Sequence, residues 1–333
     1  MYDMKIIYNS NIDSKCAAAI VYRTMTNVFM MPNTNDFYEY TEGGSFDIDN
    51  DSIISGEYIY IIGVALDNSL FIDISCFIKN GCKVVHIDNH KATIDYLTNL
   101  SDENKEMMNK VKQFYRTDES VSAITWAVSC MNEDERVLGI DTPYDFSDGH
   151  THCLVGDDDN AREYVIPSAI RYIYDACMNV HELKESEYFM YSLMNMDDHP
   201  TNKAWADIID GSTIYVMRMI DNGVLFKDFQ NHVNARILAT KGFVLKTPNL
   251  FDVECLCVND SHDGPGVFGD SLNKYPMCCR FFYDGKMDRW TYVLYSSDKS
   301  ENKIDILSKA KLFNGGEYDG EVRFFSSSNV LEK

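Results

Sequence analysis

Short apolar runs alternate with helix-like segments in the N-terminal part of the chain. The apolar runs predict buried strands, at MKIIYN (4–9), EYIYIIGVAL (57–66) and CKVVHID (82–88). The segments after the first two runs have helical patterns, at SKCAAAIVYRTM (14–25) and NSLFIDISCFIKNG (68–81). Gly81 is typical of a residue that ends a helix. Strands that alternate with helices predict a parallel sheet, so the predicted fold class is α/β.

The middle of the chain is helical, and the last third returns to strands. Helix-like segments cover 119–130, 166–196 and 203–222, with a polar loop at 141–161. After a linking helix at 226–238, β-type runs predict strands at 242–247, 253–259, 277–284 and 289–297, and a helix follows at 302–313. We therefore predict an N-terminal parallel-sheet domain with a helical extension (1–225) and a smaller C-terminal α/β domain (239–333).

The polar loop contains residue types that bind metals. They are His150, His152, Cys153, Asp157, Asp158 and Asp159. A solvated acidic loop explains the same residues with fewer assumptions, and we prefer that interpretation.

The chain is strongly acidic. It has 30 Lys+Arg against 52 Asp+Glu, a formal net charge of -22, and no run rich in Lys or Arg. Binding along a duplex requires clustered cations, so long nucleic acid is not expected as a partner, whereas a short nucleotide in a local pocket is compatible with this charge. With 333 residues, of which 45% are hydrophobic, the chain can bury two cores.

The ten cysteines are scattered along the chain. The closest pairs are Cys255/Cys257 and Cys278/Cys279, and neither has the C-x-x-C spacing that favours a structural zinc site. The sequence also contains no signal peptide and no long apolar run. We therefore predict a cytoplasmic protein with reduced thiols and no membrane partner.

Polar residues follow each of the three predicted N-terminal strands. In chain order they are Asn9, Asn11, Asp13, Asp88, Asn89 and His90, with Gly63 after the second strand. Ligands of parallel sheets collect beyond the carboxyl ends of the strands, so these segments are expected to converge on one crevice. An equally simple interpretation is that Asp13 and Asp88 cap the helices that follow them, and that His90 hydrogen-bonds Asp13 or the backbone.

The order of five segments resembles the DHH phosphoesterase family in its two-domain form, with a DHH-associated C-terminal domain. These segments are YNSNIDSKCAAAIVY (8–22), YIIGVAL (60–66), IDNHKAT (87–93), the helical stretch 167–193 and the closing stretch 292–320. The similarity is greatest to members that degrade oligonucleotides. The resemblance implies a phosphodiesterase with two divalent ions, usually manganese, held by roughly four aspartates and two histidines.

Several ligand positions that the resemblance implies have lost their ligands. Asn9, Asn11, Gly63 and Asn89 stand where the family has histidine or aspartate, and Cys177 stands at the fourth aspartate position, although Asp175 is an alternative equivalent. Only Asp13, Asp88 and His90 keep metal-binding side chains.

The remaining charge is small for a pair of divalent ions. Asp13 and Asp88 supply two negative charges against four positive ones, so a tight two-metal site is not expected. The alternative is no metal, or a single ion on Asp13, Asp88 and His90, with Cys177 as a fourth ligand, which suits zinc better than manganese.

The closing stretch resembles the glycine-rich substrate loop of the family. Gly315 and Gly316 are kept, and Tyr318 stands where a phosphate-contacting histidine is expected. With Asn89, Tyr295 and Ser296, these residues are the predicted substrate contacts. The alternative is that the two glycines only permit a tight turn.

Three hypotheses for function follow. The first is a catalytically degenerate DHH-type protein that binds a short nucleotide or a partner protein in the cleft between its two domains. The second is an active metal-dependent phosphodiesterase on short oligonucleotides or cyclic dinucleotides, with manganese as cofactor and His90 as a catalytic residue. The third is an acidic structural or interaction protein. A homodimer is compatible with each of them, because many relatives of the family are dimers.

Overall fold

A computed structural model of the chain describes residues 4–25, 36–40, 53–130, 152–155, 162–210, 212–245, 253–261, 264–296, 304–318 and 321–331. The chain forms two compact units, Met1–Val224 and Leu225–Lys333. Each unit has its own sheet and its own hydrophobic core.

The first unit contains a parallel sheet, as the alternation of strands and helices predicts. Its strands are β1 (Met4–Asn9), β2 (Phe37–Tyr40), β3 (Tyr58–Ile62), β4 (Lys83–Asp88) and β5 (Lys112–Tyr115). They lie in the order β2-β1-β3-β4-β5, and every pair of neighbours is parallel. Parallel sheets are covered on both faces, which explains why β1 and β3 are apolar runs without alternation.

Helices cover both faces of this sheet. They are α1 (Ile12–Met25), α2 (Asn68–Lys79), α3 (Lys91–Thr98), α4 (Asp102–Met108) and α5 (Val121–Cys130). Successive residues of β1 point to opposite faces: Ile6 packs in a core with α1 and α5, and Ile7 packs in a core with α2. Helix α2 ends before Gly81, which has the positive φ expected of such a residue.

The helical extension consists of several shorter helices and one long one. They are α6 (Ser168–Cys177), α7 (Ser186–Met194), α8 (Ala204–Ile209) and α9 (Thr213–Lys241). The predicted helical segment 166–196 is thus two helices, because Asn179 and His181 take positive φ between them. The helix predicted at 226–238 is part of α9, which begins 13 residues earlier, at Thr213 rather than at residue 226.

The predicted polar loop 141–161 contains a strand. This strand, β6 (His152–Val155), pairs with strand β7 (Arg162–Val165) in an antiparallel hairpin. The rest of the loop, including His150 and Asp157 to Asp159 of the metal cluster considered above, lies outside the described residues.

The second unit contains a mixed sheet. Its strands are β8 (Gly242–Leu245), β9 (Cys255–Asn259), β10 (Met277–Asp284), β11 (Arg289–Tyr295), β12 (Gly316–Tyr318) and β13 (Glu321–Ser326). The order is β12-β13-β11-β10-β9-β8, with β9 and β10 parallel and the other pairs antiparallel. Helix α10 (Ile306–Lys311) packs on one face, and a 3-10 segment (Pro265–Asn273) packs on the other.

Among the helices in the described part of the chain, none has both the length and the apolar composition needed to cross a membrane.

Candidate functional site

The polar residues after β1, β3 and β4 lie along one edge of the first unit's sheet. Asn9 ends β1, Gly63 follows β3 directly, and Asp88 ends β4. These three strands are neighbours and parallel, so their carboxyl ends share the same edge. This is the edge where ligands of parallel α/β sheets bind.

Asp13 is buried and its carboxylate holds the first turn of α5. Its Oδ2 accepts from Val121 N (2.7 Å), and its Oδ1 accepts from Ser122 N (3.0 Å) and Ser122 Oγ (2.5 Å). Burial raises the pKa of Asp13, and the hydrogen bonds from Ser122 and Val121 oppose that rise. Asp13 is therefore a helix cap, but of α5 rather than of α1, the helix that follows it in sequence.

Asn9 and Asn11 form a local hydrogen-bonded turn at the start of α1. Asn9 Oδ1 accepts from Asn11 N (3.1 Å), and Asn11 Oδ1 accepts from Ser14 N (2.8 Å). The asparagines at these two positions thus satisfy backbone donors at a helix N-terminus. Their side-chain oxygens are engaged within the turn.

Gly63 cannot be replaced by a residue with a side chain without a clash. Its φ is +64°, and an ideal Cβ at this position would lie 2.0 Å from Ser14 Oγ. The Ser14 hydroxyl is fully buried and has no hydrogen-bond partner within the described residues. An aspartate at position 63 would need the space that Ser14 occupies.

Asp88 and His90 form a close pair. His90 Nδ1 lies 2.6 Å from Asp88 Oδ1, and Thr93 Oγ1 donates to Asp88 Oδ2 at 2.5 Å. Burial raises the pKa of Asp88, but hydrogen bonds from His90 and Thr93 and the charges of the neighbouring histidines outweigh this and hold the pKa below its usual value. The interpretation that Asp88 caps the next helix is wrong, because its carboxylate accepts from Thr93 Oγ1 and pairs with the His90 ring, which it orients.

The His90 side chain is 35% exposed, although Asp88 is buried. His90 is also the N-cap residue of α3, and its side chain makes no capping hydrogen bond to that helix. The Asp88 carboxylate at Nδ1 fixes the orientation of the imidazole ring. The edge therefore offers an oriented imidazole beside uncapped backbone N–H groups.

Asn89 connects this edge to the loop before α5. Its Nδ2 donates to the backbone oxygen of Glu119 (3.0 Å) and lies 3.8 Å from Met178 Sδ. Glu119 is itself only 7% exposed, and burial raises its pKa to about 7. Sequence reasoning missed Glu119, because an acidic residue in the stretch TDES carries no sign of burial.

The fourth predicted ligand position has a structural role. Asp175 is buried and accepts from Glu182 N (2.7 Å), Leu183 N (3.2 Å) and Ser186 Oγ (2.5 Å), which fixes the turn between α6 and α7. Cys177, at the end of α6, is exposed. Neither side chain joins Asp13 or Asp88 in a ligand cluster within the described part of the chain.

The donor set does not fit a pair of divalent ions. Among the described residues, no three His, Cys, Asp or Glu side chains lie together in a way that could hold a metal ion. Both oxygens of Asp13 and both oxygens of Asp88 already accept hydrogen bonds. A metal would have to displace these bonds, so Asp13, Asp88 and His90 do not form a ready-made metal centre.

The predicted substrate contacts of the second unit lie toward the β12 edge of its sheet. Tyr295 donates to Glu321 Oε1 (2.7 Å), and Ser296 follows it in sequence. Gly315 N donates to Ala310 O (2.9 Å), and a Cβ on Gly315 would lie 2.3 Å from Arg323 O. Gly316 and Tyr318 belong to β12 and pair with β13. Gly315 is thus required for close packing against β13.

The five-stranded parallel sheet has a polar carboxyl edge, and a six-stranded mixed sheet follows it in a smaller unit. This α/β architecture is similar in fold to DHH domains of known structure. The DHH domain of a protein assigned to a family of ribosomal proteins matches with a TM-score of 0.50 and 12% identity, covering 98% of this chain and 83% of that one. The pGpG-specific phosphodiesterase PggH of Vibrio cholerae matches with a TM-score of 0.43 and 8% identity, over 98% and 93% of the two chains. An exopolyphosphatase-related protein from Bacteroides fragilis matches with a TM-score of 0.43 and 11% identity, covering 99% of this chain and 88% of that one.

Comparisons at the level of sequence gave no match. The chain matches no protein-family model and no curated protein. The similarity to DHH proteins is therefore one of fold.

Proposed function

We propose that this chain is a catalytically degenerate DHH-type protein that binds a short nucleotide at the carboxyl edge of its five-stranded sheet, without two-metal hydrolysis. The DHH-type fold supports a nucleotide- or phosphoester-related function. The observation that carries the proposal is that Asp13 and Asp88, the carboxylates kept at this edge, are both held by internal hydrogen bonds.

Protein groups compensate the two carboxylates at this edge. The N-terminus of α5 carries partial positive charge and donates to Asp13, so the buried carboxylate is compensated by protein groups. Asp88 is compensated by Thr93 and by His90. Asparagine at position 11, where the resemblance implies an aspartate, removes negative charge that a metal would otherwise have to neutralise. Asparagine at positions 9 and 89 replaces the metal-binding nitrogen of a histidine.

The same edge has donors for a phosphate group. The uncapped N-terminus of α3 begins with Lys91, and His90 stands in front of it. Backbone N–H groups at a helix start bind phosphate oxygens, and a protonated imidazole adds a charge-assisted hydrogen bond. A terminal phosphate of a short nucleotide fits this set of donors.

A second candidate function is a phosphodiesterase with a reduced ligand set. The observation that favours it is the pair formed by Asp88 and His90, because a carboxylate that orients an exposed imidazole is also an acid–base arrangement. In this case, manganese would be required and His90 would act in the reaction. The acidic interaction protein predicted from the net charge of -22 is the outcome if no nucleotide binds.

Calorimetry of the full chain with the dinucleotides pApA and pGpG, in EDTA, tests the proposal. We expect saturable binding that weakens about tenfold or more in His90→Ala, from the loss of a charge-assisted bond, and no weakening in His232→Ala, an exposed histidine on α9. Added manganese should produce no hydrolysis. Two manganese ions per chain, with turnover that Asp88→Ala abolishes, would show that the second candidate is correct.

A further inference from the structure

The second unit contains a cavity of about 420 Å³ that none of the predicted site residues lines. Its walls are Lys241, Phe243, Asn259, Phe281, Asn329 and Leu331. All six belong to the second unit. The cavity is at the β8 side of the sheet, whereas Gly315, Gly316 and Tyr318 lie at the β12 side. Its volume is within the range of small-molecule pockets.

The floor of the cavity is one face of the sheet. Phe281 on β10 is paired with Asn259 on β9, and Phe243 on β8 is paired with Cys257, two residues before Asn259. Paired residues and residues two apart point to the same face. The side chains of Phe243, Asn259 and Phe281 therefore stand side by side.

An aromatic ring is presented to the cavity. The Phe243 ring is 40% exposed, and it packs against Phe281 edge to face, with 5.9 Å between ring centroids. Phe281 in turn is supported by Trp290 (6.0 Å) and is itself buried. This support fixes the Phe243 ring in place and leaves part of its face available for stacking.

The opposite wall is the segment after β13, which is tied down by Tyr292. Asn329 Oδ1 accepts from Tyr292 Oη (2.9 Å) and from Leu331 N (3.1 Å), and Val330 N donates to Tyr292 Oη (2.9 Å). Because its oxygen is engaged, Asn329 has only its two amide N–H groups to offer a ligand. Within the described residues, these N–H groups and the Asn259 amide have no hydrogen-bond partner.

One cation completes the lining. Lys241 is the last residue of α9, where the helix dipole favours a positive charge. It is exposed, so its ammonium group is accessible to an anion at the mouth of the cavity. The lining thus combines one aromatic face, two amides and one ammonium group.

We propose that this cavity is a binding site for a purine nucleoside monophosphate. The base stacks on Phe243, its acceptor atoms receive the Asn329 N–H groups, and Asn259 reads a donor–acceptor pair on the base edge. Lys241 pairs with the phosphate. This site is separate from the proposed function, because none of its residues lies at the sheet edge of the first unit.

Titration of the full chain with GMP and AMP tests the site, by calorimetry and by ligand-observed NMR. Adenosine lacks the phosphate, and ribose 5-phosphate lacks the base, so both should bind at least about tenfold more weakly if stacking and charge act together. Phe243→Ala and Lys241→Gln change exposed side chains and should each weaken GMP binding about tenfold. Tyr283→Ala removes an exposed aromatic residue of β10 outside the cavity and should leave binding unchanged.

The outcomes separate this site from the edge of the first unit. Loss of GMP binding in Phe243→Ala and Lys241→Gln, with normal binding in His90→Ala, supports the cavity. Loss in His90→Ala alone would place mononucleotide binding in the first unit and overturn the inference. No binding at millimolar GMP or AMP, or equal affinity in Phe243→Ala, Lys241→Gln and Tyr283→Ala, would also overturn it.

Discussion

A side chain at position 63 would begin 2.0 Å from the hydroxyl oxygen of Ser14. The two residues belong to different elements: Ser14 is in the first turn of α1, and Gly63 follows β3. The family resemblance places a metal-binding aspartate at position 63, so this contact shows why the ligand cannot be restored by one substitution. The close approach of α1 to β3 depends on glycine.

Gly63→Ala should lower the free energy of unfolding more than a positive φ alone explains. Alanine in the left-handed region costs about 1–2 kcal/mol, and the overlap with Ser14 adds to this. Gly56→Ala is the matched control, because Gly56 also has a positive φ but has nothing within 4 Å of its ideal Cβ. Urea unfolding of both variants gives the comparison.

A double variant isolates the overlap. Ser14→Ala removes the hydroxyl, so Gly63→Ala should cost less in the Ser14→Ala background than in the wild-type chain. Equal costs in the two backgrounds, or equal costs for Gly56→Ala and Gly63→Ala, would show that Ser14 does not restrict position 63.

Thr93→Val should destabilise the chain by about 3 kcal/mol. The Thr93 hydroxyl donates to Asp88 Oδ2 and accepts from Leu66 N (2.8 Å), so valine leaves a buried carboxylate oxygen and a buried N–H without partners. Thr98→Val, at an exposed position of the same helix, should stay within about 0.5 kcal/mol of wild type. Chemical unfolding measures both, and a small effect at Thr93 would argue against a fixed pair of Asp88 and His90.

The sequence predicts the fold better than the site, for a physical reason. Buried strands such as β1 and β3 are recognisable because both of their faces must be apolar, and the end of α2 is recognisable from Gly81. The partners of Asp13 lie 108 residues further along the chain, at the start of α5, and no local pattern indicates them. The same holds for Ser14 beside Gly63, since close packing of two backbones leaves no periodic signal.

The resemblance located the polar edge, but not the roles of its residues. Asn9, Asn11 and Asp175 were predicted from ligand positions, and in the structure they hold turns and helix starts. Glu119 and Thr93 were not predicted at all, because Glu and Thr are common surface residues and only tertiary packing buries them. No local pattern indicates the cavity next to Phe243 either, because only tertiary packing brings its walls together.

Asp13→Ala should cost about 3 kcal/mol in the free energy of unfolding, since it leaves donors of Val121 and Ser122 unpaired in a buried place. Asp67→Ala, which removes the exposed cap of α2, should cost about 1 kcal/mol. If Asp13 is a cap and not a metal ligand, the difference in melting temperature between wild type and Asp13→Asn will be the same with and without manganese. A manganese-dependent rise in melting temperature that only the wild type shows would identify Asp13 as a ligand.

Glu119 should make stability depend on pH. Burial raises its pKa from 4.5 to about 7, with the charge of Arg116 opposing and that of Asp118 adding to the rise. The folded chain therefore holds a proton that the unfolded chain releases above pH 4.5, so the contribution of Glu119 to stability falls as the pH rises from about 4.5 to about 7. Glutamine at position 119 has no proton to lose in this range. As the pH rises from about 4.5 to about 7, the free energy of unfolding of Glu119→Gln should therefore increase by on the order of 2 kcal/mol relative to that of wild type. Urea unfolding at pH 5, 6, 7 and 8 measures the gain.

Glu106→Gln, at an exposed position on α4, is the control. Its free energy of unfolding should differ from that of wild type by the same amount at every pH. If Glu119→Gln also shows a constant difference, the Glu119 carboxyl is not held protonated in the fold.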